Sequence, residues 1–230
     1  MPIPRHLEFN RNQLLRGFAF CLFALYFPEL MSDRQYLLFY KPYNVLCQFT
    51  DDSASPRLTL KEYIEIPDVY SVGRLDFDSE GLLLLTNDGL LKHHLIDPQF
   101  EHSRTYWVQV ERIPTEDALQ QLRNGVTIQG YKTKPAIAKL LDSEPDLPPR
   151  DPPIRVRANI PTAWLELQLT EGKNRQVRKM TAAVGFPTLR LVRVAIAHLR
   201  LENLNVGQWR ELTTKELQEL RLKVLPRQLR

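Results

Sequence analysis

The sequence predicts an α+β fold built on a mostly antiparallel sheet. Segments that read as strands outnumber those that read as helices, and the two kinds rarely alternate, unlike the strand–helix–strand units of a parallel sheet. At 230 residues, with 43% hydrophobic and 25% charged residues, the chain is long enough for a proper buried core.

At the start of the chain, Phe18–Phe27 (FAFCLFALYF) is an apolar run of about ten residues, against the ~20 that span a bilayer. Arg11 and Arg16 before it resemble an export signal, yet Pro28-Glu29-Leu30 offers no small-residue cleavage site. A transit peptide is disfavoured because serine is absent before Ser32. Met31-Ser32-Asp33 looks like a natural start, so residues 1–32 are expected to be an extension dispensable to the fold, with the folded domain over 33–230.

Tyr36–Tyr40 and Val45–Phe49 read as strands around the turn signal Lys41-Pro42-Tyr43-Asn44. Thr59–Ile64 reads as a short helix and Leu82–Thr86 as a buried strand. Asn87-Asp88-Gly89 is a stop, and Leu90–Leu95 a short helix ended before Pro98. Thr105–Glu111 alternates like a half-buried strand. Thr115 suits the cap of a helix to Asn124, terminated by Gly125. Six prolines between Ser143 and Pro161 mark a loop, in which Pro-Pro-Ile-Arg-Val-Arg carries two arginines on extended backbone. Trp164–Thr170 alternates again. Asn174–Val184 is helical, with Val177, Met180, Thr181 and Val184 on one face. Thr188–Val194, His198–Leu201 and Trp209–Leu212 read as short strands, and Thr213-x-x-Glu216 is a capping box opening a helix to about Val224.

The net charge of +4 matters less than its distribution. Asp51–Phe100 holds ten acids against four bases, whereas Glu171–Arg200 holds seven bases against one acid. A basic surface meeting a polyanion, beside a separate acidic reaction site, fits that asymmetry. Two cysteines, Cys21 and Cys47, and five histidines show no ligand spacing, so no metal is expected and a reduced, cytoplasmic setting is the default. No glycine-rich phosphate loop is present, and no nucleotide cofactor is expected.

The segment Ser71–Asp88 (SVGRLDFDSEGLLLLTND) places Asp76 in a turn rich in glycine and carboxylates, at the lip of an apolar strand. Such a carboxylate suits a nucleophile, a general base, a metal ligand or a plain turn cap, and Asp78 and Glu80 compete for each role. Arg175, Gln176, Arg178 and Lys179, after Lys173 and Asn174, give the 174–184 helix a basic tip, where backbone N–H groups and the macrodipole also favour phosphate. Burial of one of these arginines would require a carboxylate partner. Tyr106 and Trp107 are neighbours on one strand, so one ring faces the core and the other a cleft or solvent.

Together these segments resemble the RsuA-type RNA pseudouridine synthases, most nearly their RluE-type members. YKPYNVLCQFT, GRLDFDSEGLLLLTNDG, TYWVQVE, PPIRVR, IPTAW, EGKNRQVRKMTAAVGFPTLRLVR and GQWREL occur in family order from about Tyr36 to Leu212. The resemblance implies the pseudouridine synthase fold, a mixed, mostly antiparallel sheet flanked by helices, with two lobes around a basic cleft. It also implies isomerisation of a specific uridine in 23S ribosomal RNA of the large subunit, without cofactor, metal or membrane, by a monomer. Asp76 takes the position of the shared catalytic aspartate, Tyr106 that of the tyrosine packed on the target base, and Arg178 that of the residue paired with the aspartate. Arg74 matches an arginine that meets the flipped nucleotide and its phosphates. Lys173, Asn174, Arg175, Gln176 and Lys179 become RNA-binding residues, and Leu191 lines the pocket. Asn44, Phe77 and Arg104 depart from common family residues, Phe77 removing a cation. No S4-like RNA-binding domain is expected, as in RluE-type members. A carboxylate serves this chemistry by attacking C1′ or C6, or by taking a proton from the 2′ carbon, once the base has left its stack. Two other readings are a non-catalytic rRNA-binding ribosome-assembly factor on the same fold, which has no need of Asp76, and a small-sugar glycosidase, which lacks its second carboxylate.

Overall fold

Continuous apolar runs and well-placed caps account for most of the elements. A computed structural model describes residues 34–154, 157 and 159–225. The expected extension over residues 1–32, and Arg155 of the PPIRVR segment, lie outside the described residues. Strand β1 (Tyr36–Lys41) and strand β3 (Glu80–Thr86) are buried at every position, which is why they read as unbroken apolar runs rather than as alternations. Short β2 (Tyr70–Ser71) pairs with β3. Helix α1 (Gly89–Ile96) starts where the Asp88 side chain accepts from Leu91 N at 3.1 Å. Next come β4 (Arg104–Glu111) and α2 (Glu116–Asn124), the latter capped by Thr115 and ended by Gly125 at φ +77°.

Strands β5 (Thr127–Ile128) and β6 (Tyr131–Lys132) form a separate hairpin, followed by β7 (Ile137–Leu140). After the proline-rich loop come β8 (Thr162–Leu169), α3 (Gln176–Ala183), β9 (Thr188–Ile196), β10 (Leu199–Arg200) and β11 (Trp209–Glu211). Helix α4 (Thr214–Val224) opens on the Thr213–Glu216 capping box.

Among the described residues, nine strands make one sheet along the path β11-β1-β3-β9-β4-β8-β7, with β10 on β9 and β2 on β3. The pairings are antiparallel except β3–β9, which runs parallel with Glu80 opposite Val192 and Gly81 opposite Arg193. Only glycine fits there: Gly81 has φ +108°, and a Cβ would lie 2.3 Å from Arg193 O.

The α+β expectation holds: among the described residues one continuous sheet carries four apolar clusters. The largest joins Val108, Leu122, Leu165, Leu167, Met180 and Leu191, and the next joins Leu38, Leu82, Leu84, Leu91 and Leu220. From Gln35 onward the chain forms one unit, because the β3–β9 contact ties the halves together. Val45–Phe49 is not a strand. It passes irregularly beneath the sheet with Val45 buried, exchanging isolated bonds (Leu46 N to Leu58 O, Leu60 N to Gln48 O, both 2.9 Å) with the 3-10 turn Leu60–Glu62, which replaces the expected helix over Thr59–Ile64.

Candidate active site

Asp76 lies on the loop between β2 and β3, in a turn closed by Ser79 N donating to Asp76 O at 3.0 Å. The loop is held from below. Leu75 N donates to Cys47 Sγ at 3.2 Å, and Asn44 N, at φ +58°, donates to Phe77 O at 2.9 Å. Lys41, fully buried at the end of β1, donates through Nζ to Pro42 O at 2.7 Å and reaches Phe77 O at 3.5 Å. Burial pulls the Lys41 ammonium down to about 8, against the favourable charges of Cys47, Glu80, Asp78 and Asp76.

Two arginines arrive from α3, but not as the sequence implied. Arg178, expected to pair with Asp76, forms its ion pair with Asp78 (Nε to Oδ2, 3.5 Å) and donates through Nη2 to Asp78 O. Arg175 donates both Nη atoms to the same carboxylate, at 2.8 and 2.7 Å, and lies 3.8 Å from Asp76 Oδ2. Asp78, one of the three acids the segment offers, is therefore the anchor of the arginine pair. Burial alone would raise its pKa, but the Arg175 hydrogen bonds and the charges of Arg178 and Arg175 hold it below the ordinary value. Burial lowers the Arg178 pKa while Asp78, and more weakly Asp76, act against that. Asp76 keeps a third of its side-chain surface open (33%) and leaves the strong bonds to its neighbour.

Arg175 caps α3 in the left-handed region, at φ +52° and ψ +34°, with no side-chain bond to the helix. Glu80, the third acid of the segment, faces the interior and makes a fork-to-fork bond with buried Arg190 at 2.9 and 2.8 Å. Arg190 also donates to Pro148 O at 2.8 Å, which fastens the proline-rich loop.

Tyr106 is half-buried and packs on the core that contains Leu191, Val177 and Met180. It is joined to the Asp76 loop through α3, which carries both Val177 and Arg178. Trp107 faces the opposite side, against Tyr40, Val192 and Val194, and donates Nε1 to Glu166 at 3.1 Å. Each ring thus packs on its own apolar cluster, and both stay partly exposed. Leu191 is 5% exposed and belongs to the core behind Tyr106. Arg74 is exposed beside the loop, and the Arg57 guanidinium lies 5.4 Å from the Phe77 ring centre, supplying a cation next to the residue that departs from the family pattern.

Lys173, Asn174 and Lys179 line the α3 tip, with Lys179 Nζ 3.4 Å from Asn174 Oδ1. Gln176 is buried and accepts from Lys173 N at 2.9 Å. Sequence reasoning missed Lys41, Asp78 as an anchor, and Glu171. A lysine ending an apolar strand just before a proline was the one visible signal for the first. Among the described residues, no cluster of histidine, cysteine or carboxylate is placed to hold a metal, and no helix is long and apolar enough to cross a membrane.

A carboxylate on a loop at the head of a core strand is thus flanked by two arginines from the start of helix α3, on one mixed, mostly antiparallel sheet. Residues 35–183 match the family described as RNA pseudouridylate synthase, and the chain belongs to it. A crystal structure titled as a pseudouridylate synthase superposes with a TM-score of 0.68 at 29% identity, covering 82% of this chain and 74% of that one. Among named relatives, the ribosomal large subunit pseudouridine synthase E of Xanthomonas axonopodis pv. citri is 60% identical over 73% of this chain and 88% of its own. The protein of the same name from Vibrio parahaemolyticus is 50% identical, over 79% of this chain and 75% of that relative.

Proposed function

We propose that the chain converts one uridine of large-subunit ribosomal RNA into pseudouridine, with the Asp76 carboxylate acting on the target nucleotide. The observation that carries this reading is the division of labour in the loop. Asp78 takes the strong arginine bonds, so Asp76 is flanked by guanidinium charge yet keeps open surface. The names of these relatives support large-subunit ribosomal RNA as substrate.

In the reaction the C1′–N1 bond breaks and a C1′–C5 bond forms. A proton leaves C5 and N1 gains one, so the overall change is an isomerisation. The uridine must first leave its stack, at a cost of a few kcal/mol. Phosphate contacts from Arg74, Arg175 and the α3 tip offset that cost, and Tyr106 offers the ring on which the extruded base packs. Arg178 braces the loop from beneath.

The test is chemical mapping of pseudouridine in large-subunit RNA from a deletion strain carrying wild-type or Asp76→Ala protein. The wild type should restore one site and the variant none. A variant that restored it would remove Asp76 from the chemistry, and a wild type that restored nothing would remove the reading itself.

A further inference from the structure

We infer that the β5–β6 hairpin is a second RNA-contact element, clamped to the basic tip of α3 so that the substrate strand lies across both. The inference deepens the proposed function and rests on it for the nature of the ligand. Its starting point is Glu171, a carboxylate 4% exposed that has no part in the chemistry above. It accepts from Tyr131 Oη at 2.6 Å, from Lys134 N at 2.9 Å and from Gln176 Nε2, while Gln176 Oε1 accepts from Lys173 N. Hairpin and helix tip therefore share one buried hub. Burial would raise the pKa of Glu171, and these bonds hold it below the ordinary value, so the hub is an anion facing the cations around it.

A second tie lies at the hairpin turn, where Gln129 (φ +50°) and Gly130 (φ +78°) adopt the left-handed pair that tight hairpins need. Gln129 Oε1 accepts from Lys179 Nζ at 2.8 Å. Lys179 stands four residues after Arg175, on the same helix face, and Arg175 is the residue that touches Asp76. A continuous line thus runs from the carboxylate through one helical turn to the hairpin.

The chemistry of that surface suits a single-stranded polyanion. Tyr131 is 37% exposed, and Lys173 Nζ sits 4.7 Å from its ring centre. Lys132, next along the strand and so on its opposite face, is exposed with Nζ donating to Gly125 O, and the hairpin sequence Thr127–Lys132 (TIQGYK) carries no acid. An aromatic platform backed by a lysine, on a hairpin with a second lysine on its far face, binds a base by stacking and its phosphates by charge, without reading sequence. The clamp holds both parts in place before RNA arrives.

The test is equilibrium binding of the full chain to a large-subunit rRNA transcript at several salt concentrations, with thermal melts to check folding. Tyr131→Ala and Lys132→Gln should each weaken binding by about fivefold to tenfold, and Lys132→Gln should also flatten the salt dependence by about one counterion. Tyr131→Phe, which keeps the ring, should lose less than Tyr131→Ala. Lys215→Gln, at an exposed position of α4, removes the same charge elsewhere and should bind like wild type. Wild-type affinity in Tyr131→Ala and Lys132→Gln, or an equal loss in Lys215→Gln, would overturn the inference. Pseudouridine formed on the same transcript separates the two ideas. Weakened hairpin variants with no modification by wild type would sink the proposed function alone. Unweakened variants with normal modification would sink the hairpin alone, and no RNA binding by wild type would sink both.

Discussion

Glu80→Gln should be among the most destabilising single changes in this chain, although it lies outside the reacting groups. Glu80 and Arg190 keep only 3% and 6% of their side-chain surfaces exposed and are joined by two hydrogen bonds. Removing one partner of such a pair leaves a buried guanidinium charge uncompensated, which costs about 3–5 kcal/mol. The amide still accepts one bond, and Pro148 O still takes one Nη2 donor, so the low end, ~3 kcal/mol, is expected. For a domain of this size that is a fall in Tm of roughly 6–12 °C. Urea unfolding of Glu80→Gln measures it, and Glu80→Leu, Arg190→Met and Glu80→Leu/Arg190→Met complete a double-mutant cycle. The double variant should be far less destabilised than the sum of the singles, because two apolar side chains can fill the space without stranding a charge. A Glu80→Gln protein within 1 kcal/mol of wild type, or additive effects, would refute the argument.

Asp78→Asn should raise KM for RNA by about tenfold or more with a modest loss of stability, since Arg175 is largely exposed but both arginines lose their shared anchor; steady-state kinetics and melts together decide it. Lys41→Met should reveal a pH dependence. The folded pKa of Lys41 is about 8 against an ordinary 10.5, so between those values the unfolded chain binds more protons and this group adds stability as pH rises. The stability of wild type relative to Lys41→Met should therefore climb from pH 8 towards 10, and a flat difference would place the ammonium in a wetter site. Gly81→Ala should cost at least about 2 kcal/mol, from its left-handed backbone and the approach to Arg193 O, as read by denaturant unfolding.

The strands legible in the sequence are those whose burial is simple. β1 and β3 are buried throughout and so appear as apolar runs, whereas β4 alternates in burial only over its second half, because Tyr106 and Trp107 each meet an apolar cluster. Val45–Phe49 misled because an irregular segment packed under a sheet satisfies the same hydrophobic pattern as a strand. β5 and β6 are two residues each, too short for any period to register. Within the site, Asp76 and the basic tip were visible as residue types, but their pairing was not. Arg175 meets Asp78 across 97 residues of chain, and Glu80 meets Arg190 across 110. Local sequence offered Asp78 and Glu80 only nearby turns, whereas the sheet brings each an arginine from the far half.

Arg175 carries a further consequence through its backbone. A non-glycine residue held in the left-handed region costs roughly 1 kcal/mol or more, and no side-chain cap recovers it. Position 175 is thus where selection for robustness and selection for turnover pull apart. A search for thermostable variants of this enzyme would favour glycine or asparagine there, and would discard the guanidinium beside Asp76 in doing so.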